Sequence, residues 1–280
     1  MGNKKQLLSY LFIWAFCLFG SSHSWSITSQ HIPPVSASRA FNETSMDALR
    51  RYQQSHPLQQ NSQQNLEQEK KSVIDSVTDL EKINFQILPE WKDLSEVTQN
   101  FDLILNDRFL SSSDGLGFKR RIPWLYPDDG CFMRTQSALR RMQDRGISKE
   151  KLPKKIFIFG DLVMTSQFSP NNQVYWWFHV VPAVRLKDEV YVLDPTVESA
   201  QPLTIHEWIL KLVTHVSDVR IAVCDTSAYD AFSNCHGDSG LNANQRSQED
   251  APIYLDAERR RIEDLGFNPN IVLRDFPPWR

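Results

Sequence analysis

The chain carries no glycine-rich phosphate loop, no dinucleotide-binding fingerprint and no Gly-x-Ser-x-Gly elbow. Nucleotide-dependent chemistry and the serine-hydrolase nucleophile turn therefore lack their usual residues. Neither Cys-x-x-Cys nor His-Glu-x-x-His spacing occurs, which removes the common zinc patterns, and no metal or cofactor is expected. There is no basic tract, and the formal net charge is -3, so nucleic acid is not the expected partner. Cysteines are scarce, at four in 280 residues. Long hydrophobic runs are scarcer: the apolar stretch 7–19 falls short of the roughly 20 residues a membrane-spanning helix needs.

That short run reads as a delivery signal. Lys4 and Lys5 precede it, and Gly20, Ser21, Ser22, Ser24 and Ser26 follow it, the order of a secretory signal peptide over residues 1–26. The segment holds two lysines and no acid, so its removal takes the net charge from -3 to -5. The expected location is secreted or periplasmic, with no stable membrane insertion after cleavage.

Cys17 leaves with the signal, and Cys131, Cys224 and Cys235 remain. In an oxidising compartment Cys224 and Cys235 are natural partners across a Ser/Tyr/Asp/Asn-rich loop. Cys131 is then the odd thiol, and an unpaired thiol in an exported protein needs a reason. Pairing of Cys131 with either later cysteine would remove that reason.

Composition divides the remainder. Residues 27–70 offer little core material: Pro33 and Pro34, scattered serines and a Gln-rich stretch near 53–60. From 71 to 110, Val73, Ile74, Val77, Leu80 and Ile83 recur near helical spacing, and Phe101, Leu103, Ile104 and Leu105 form a second apolar cluster. Ser111 to Gly117 reads as a hinge. Residues 27–117 are therefore expected to be an accessory region or a removable prosegment, and 118–280 the catalytic domain, most simply a monomer.

From 118 onward the pattern is α+β. A helix is expected over 131–145, stopped by Gly146, with Thr135, Ala138, Leu139 and Met142 in one buried stripe with Cys131. Strands are expected at 155–159, 173–186 and 189–193, the last two forming a hairpin about Lys187 and Asp188. A helix over 204–212 opens with the capping box Thr204 and Glu207.

Three positions carry the chemistry. Cys131 at a helix start meets free N–H groups that favour its thiolate, so its pKa is expected to fall toward neutrality. Arg134, one turn along, answers nearby acid or guides substrate. His179 lies in the aromatic strand Trp176-Trp177-Phe178-His179-Val180; counting by twos puts Trp177 on its face and Trp176 opposite. His206, His215 and His236 are poorer candidates. Asp194 ends the next strand beside Pro195, near His179 diagonally across the hairpin, with Asp161 as the alternative. A nucleophile, its base and the base's orienter would be assembled this way. A buried structural thiol, a satisfied core histidine and an ordinary Asp-Pro turn are the plain alternatives. Trp124, Arg134, Trp176 and Trp177 are expected to line the substrate cleft.

The motifs Asp129-Gly130-Cys131-Phe132-Met133-Arg134, Trp176-Trp177-Phe178-His179-Val180 and Val192-Leu193-Asp194-Pro195-Thr196 resemble those of the secreted bacterial protein-glutaminases, or protein-glutamine deamidases. The resemblance covers about residues 118–215. It implies a papain/transglutaminase-like cysteine hydrolase core, with the nucleophile at a helix N-terminus packed against an antiparallel sheet. It implies a Cys131–His179–Asp194 triad, a signal peptide and inhibitory prosegment, and a protein with accessible glutamine as substrate. A known member of the family is richer in cysteine and small residues than this chain, whose charged tail after Cys235 is also unfamiliar. The same triad would serve a papain-like peptidase or a transglutaminase, and a degenerate version would serve a secreted protein-binding module.

Overall fold

The computed structural model describes residues 43, 51, 67, 68, 70–73, 77–107, 110, 111, 119, 120, 122, 124, 125, 127–233, 235 and 242–272. The expected signal peptide, and much of the expected accessory region and hinge, lie outside these residues. The described elements are β1 (Thr78–Asp79), α1 (Leu94–Leu105), β2 (Leu110–Ser111), β3 (Lys119–Arg120), α2 (Cys131–Asp144), β4 (Lys154–Thr165), β5 (Gln173–Leu186), β6 (Glu189–Val192), β7 (Leu203–Thr204), α3 (Ile205–Leu210), β8 (Arg220–Cys224), α4 (Ala243–Asp264) and α5 (Pro269–Val272).

The protein is α+β, built on a six-stranded antiparallel sheet in the order β1-β8-β4-β5-β6-β7. β4 and β5 are its long central strands, made of alternating β-branched and aromatic residues that suit a pleated surface with both faces covered. One face packs Ile156, Ile158, Val181, Ala183 and Val192 against Trp208 and Ile209 of α3. On the other side Met133, Leu139 and Met142 of α2 meet Phe101 and Ile104 of α1, Val184, and Ala251 and Tyr254 of α4. Each fully buried Leu, Ile or Val here contributes about 1.5–3 kcal/mol.

β5 and the β5–β6 hairpin lie where the sequence put them, and Lys187 takes the left-handed turn position, with φ 56°. α2 ends at Asp144, with Gly146 just beyond at φ 92°. Its burial exceeds one stripe: Met133, Arg134, Gln136 and Ser137 are covered too, because α2 lies between the sheet and α4. The helix expected at 204–212 is shorter, Ile205–Leu210, and carries the full capping box.

Two expectations change, and the tail, for which no element was expected, is helical. The helical spacing through 73–83 gives way at Thr78–Asp79, which pairs with Ile221 and Arg220 at the open edge of β8. Ladder bonds at a sheet edge override a weak local periodicity. β4 extends beyond 159 to Thr165, with a register slip between Phe159 and Leu162. Gly160 within that slip has φ 152°, and a Cβ there would lie 2.9 Å from the Asp218 carbonyl oxygen. The tail forms the long helix α4, capped by the Asn242 side chain.

Residues 78–107 are built into the same core. Leu80 and Leu88 join the α3-side cluster, and Trp91, Val97, Phe101 and Ile104 join the α2-side cluster. Backbone bonds join residues 89–91 to Arg185 on β5. Leu110 and Ser111 pair antiparallel with Arg120 and Lys119.

Candidate active site

Cys131 is the first residue of α2. Gly130 before it is the helix N-cap, in the left-handed region at φ 78°, ψ 16°. Neither acid preceding it caps the helix: the Asp129 side chain accepts the Gly130 N–H at 2.7 Å, and its carbonyl accepts Arg134 Nη1 at 2.6 Å. Downstream, Thr135 Oγ1 donates to the Val180 carbonyl at 2.8 Å, docking the first turn of α2 on β5.

The thiol is free and only 6% exposed. Burial pushes it up to about 12, against the opposing pull of Arg134 and of backbone hydrogen bonds from Val180 and Phe132, while Asp129 adds to the rise. The expected lowering toward neutrality is therefore reversed. A helix N-terminus favours a thiolate only modestly, and removal from water outweighs it.

His179 and Asp194 meet as expected across the hairpin. Ala183 pairs with Val192, and the Leu193 N–H donates to the Pro182 carbonyl, which brings residue 194 level with 181. His179 Nε2 lies 2.9 Å from Asp194 Oδ2, and both side chains are buried. Trp208 Nε1 donates to the same Oδ2 at 2.9 Å, and the Thr196 N–H donates to Oδ1 at 3.0 Å. Burial raises the Asp194 carboxyl, but the charge and hydrogen bond of His179, the Trp208 N–H and the charge of Arg134 together hold it below its ordinary value. His179 Nδ1 is buried and has no hydrogen-bond partner among the described residues.

Cys131 and His179 are not joined by a hydrogen bond. Cys131 clusters with Phe157, Phe159 and Val180, whereas His179 stacks on Trp176 and leans on Trp208. Consecutive residues of β5 thus carry the two halves of the site, and the charge of Arg134 acts on both Cys131 and Asp194.

The facing of the two tryptophans is the reverse of the sequence count. Trp176 is plane-parallel to His179, with centroids 4.4 Å apart and an interplanar angle of 5°. Trp177 packs with Phe159, Phe178 and Phe232. Opposite Gly160 and Asp161 the β4–β5 register slips by one residue, so the positions of β5 facing α3 change from 181 and 183 to 176 and 174. A bulge breaks the period of two on which such counting rests.

Of the four expected cleft residues, Trp124 is buried and donates to the Ile104 carbonyl at 2.9 Å, while Arg134 and Trp176 are also buried. Trp177 is half-buried, with the Lys70 amine 5.5 Å above its ring. Asp161 lies instead beside a surface cavity of about 400 Å³ lined with Lys211, Thr214 and Asp218. The Cys224–Cys235 disulfide is present.

Trp208 and Tyr254 were missed as site residues. Trp208 lies within the helix expected over 204–212, and nothing in the sequence marks its indole N–H as a partner of Asp194. Tyr254 packs edge-on to Phe132 at 5.7 Å and against Gly130, from a helix that was not foreseen. Among the described residues, no helix is long and apolar enough to cross a membrane.

A family model described as Glutaminase matches residues 97–212, a span that contains all three motifs. Among solved structures, a crystal structure of protein-glutaminase is similar at 19% identity over 59% of this chain and 90% of its own, with a TM-score of 0.42. The NMR structure of protein-glutaminase from Chryseobacterium proteolyticum is similar at 20% identity over 51% and 77%, with a TM-score of 0.38. The A47Q2 mutant of pro-protein-glutaminase is similar at 20% identity over 55% of this chain, with a TM-score of 0.38, and the chain spans only 54% of its length. No curated protein matches.

Proposed function

Proceeding from its resemblance to the protein-glutaminase family, which the match over residues 97–212 bears out, we propose that this protein deamidates glutamine side chains in other proteins through Cys131, His179 and Asp194. The observation that carries the reading is the buried His179–Asp194 pair. Its Nε2 is engaged by the carboxylate and its Nδ1 is left bare, in the strand whose next residue, Val180, hydrogen-bonds the Cys131 sulfur.

In this reading Nδ1 takes the thiol proton, and the sulfur attacks the side-chain amide carbon. Free N–H groups of the first turn of α2 stabilise the oxyanion. Collapse expels ammonia with the proton from His179 and leaves a thioester. Water, deprotonated by the same nitrogen, then releases glutamate and restores the thiol. The nucleophile sits in a papain/transglutaminase-like arrangement, a helix N-terminus against an antiparallel sheet. Catalytic hydrogen bonds that are long in a free enzyme tighten when substrate binds.

The thiol here is covered, and an N-terminal prosegment accounts for the cover. Val73 and Val77 pack against the cluster that holds Cys131, and Lys70 lies over Trp177. Removal would end before Thr78, because β1 belongs to the sheet. Trp177 would then face the incoming chain as part of the cleft wall. A signal peptide over 1–26 would deliver the protein to a secreted or periplasmic location.

The test is ammonia release from a glutamine-rich protein, with a mass gain of about 1 Da per residue changed, by the full chain and by the chain beginning near residue 77. Activity that rises on shortening and vanishes in Cys131→Ala supports the reading. Peptide cleavage without ammonia points to a peptidase, and incorporation of a small amine to a transglutaminase. Complete inactivity points to a binding module, the reading favoured by the missing Cys131–His179 hydrogen bond.

A further inference from the structure

Two tryptophans hold the histidine pair from different sides. Trp176 lies flat on the His179 ring, 4.4 Å away, and its Nε1 donates to the Asp128 carbonyl at 3.2 Å, three residues before Cys131. Trp208 tilts against His179 at 6.0 Å between centroids and donates to Asp194 Oδ2. All four side chains are buried.

The chemistry of the donors fixes the proton. An indole N–H can only donate, as can the Thr196 N–H. Asp194 is thus met by donors at both oxygens. The charge and hydrogen bond of His179, the Trp208 N–H and the charge of Arg134 outweigh its burial and hold it below its ordinary value, which favours the carboxylate with His179 Nε2 as a third donor. A neutral imidazole with Nε2 protonated has Nδ1 bare, the state a base needs. Orientation is fixed separately. A flat stack resists rotation of the imidazole about its Cβ–Cγ bond, and the Trp176 bond to Asp128 refers that plane to the loop that delivers the thiol.

We infer that Trp176 and Trp208 are positioning residues for the reaction: Trp208 fixes the His179 tautomer through Asp194, and Trp176 fixes the ring plane relative to the Cys131 loop. This rests on the triad reading and reassigns Trp176, expected to line the cleft, to a place behind the base. α3 acquires a purpose as well. Its capping box of Thr204 and Glu207 sets the start of a short helix whose apolar side delivers Trp208 to Asp194.

The experiment uses the full chain with ¹⁵N-labelled histidine. In the wild type the His179 resonances should show Nε2 protonated and Nδ1 bare. Trp208→Phe keeps an aromatic side chain, though a smaller one, and loses the indole N–H; averaging of the two tautomers is expected, with kcat for ammonia release about 10- to 100-fold lower and KM nearly unchanged. Trp176→Phe should leave the tautomer intact and lower kcat about tenfold. A wild-type His179 that is averaged or carries its proton on Nδ1 overturns the inference, whether or not the variants fold. So does Trp208→Phe with an unchanged tautomer and unchanged kcat. If Trp208→Phe does not fold, the wild-type resonances and Trp176→Phe decide. If the wild type releases no ammonia from any glutamine protein, the deamidase reading fails while the tautomer still answers this question.

Discussion

Tyr254 of α4 lies against Gly130 so closely that a Cβ on the glycine would meet its Cδ1 at 2.7 Å. The residue before the candidate nucleophile is thus constrained by the far end of the chain. Its φ of 78° is a second constraint, since a side chain there is strained whatever the space.

Gly130→Ala is therefore expected to destabilise the fold by about 2–4 kcal/mol, combining left-handed strain with overpacking. In a Tyr254→Leu background the steric part should disappear and about 1–2 kcal/mol of backbone strain should remain. Urea unfolding of the four members of this cycle measures both parts. Equal costs in the two backgrounds would disprove the contact.

Asp194→Asn should lower ammonia release by about three to four orders of magnitude, because an amide can donate to His179 and stabilise the wrong tautomer. Single-turnover thioester formation, followed by mass, reports this step directly. A loss confined to KM would count against an orienting role.

The covered thiol makes a pH prediction. With Cys131 pushed up to about 12, the intact chain should resist iodoacetamide near neutrality and react as pH climbs toward that value. A folded value above the unfolded one means this group's contribution to stability is fully present below about 9 and is lost as pH rises from about 9 toward 12. Cys131→Ser should lessen the alkaline loss, the remainder coming from the buried phenols of Tyr229 and Tyr254, which burial also raises. Shortening to residue 77 should speed alkylation at neutral pH, and no change would leave the N-terminal cover without effect on the thiol.

Lys155 predicts the opposite slope. Its buried amine donates to Gln136 Oε1 and the Ala228 carbonyl, and burial, partly offset by Asp230 and reinforced by Arg246, lowers it from 10.5 to about 7. A neutral amine keeps two N–H groups for these two acceptors. The folded value lies below the unfolded one, so the cost of the buried charge is fully present below about 7 and is relieved as pH rises toward 10.5. Stability should increase across that window by an amount on the order of a few kcal/mol. Lys155→Met should flatten the slope in denaturant titrations between pH 6 and 10; an unchanged slope would exclude Lys155 as its source.

The Cys224–Cys235 disulfide closes a loop with a sequence separation of 11, which carries Ala228 to Lys155. Its removal in a Cys224→Ser, Cys235→Ser double variant should cost about 3 kcal/mol. The midpoint in urea with and without reductant measures it, and the variant should show no response to reductant.

Much of the core architecture was legible because local periods and turn chemistry agreed with the fold. The strand at 173–186, its hairpin, the start and stop of α2 and the Thr204–Glu207 box all have short-range causes. α4 was not legible. Pro252 interrupts its sequence as a helix breaker, and its buried face carries Ser247, Asp250, Glu258 and Arg261, which hydropathy assigns to solvent. Their neighbours come from elsewhere in the chain: Asp250 bonds Tyr229, and Arg261 lies 3.7 Å from Asp128.

The sequence by itself determined which residue types stand at 131, 179 and 194, their order, and the hairpin that brings His179 to Asp194. Those follow from spacing along elements of known period. Only the tertiary structure decided which tryptophan backs the histidine, because a one-residue slip in β4–β5 register reverses the facing of a strand. It alone decided that Trp208 holds Asp194, and that the Cys131 thiol is raised rather than lowered. Burial is a property of everything packed around a side chain, and Phe159 of β4, Val180 of β5, Tyr254 of α4 and Val73 and Val77 come to the Cys131 cluster from distant parts of the sequence.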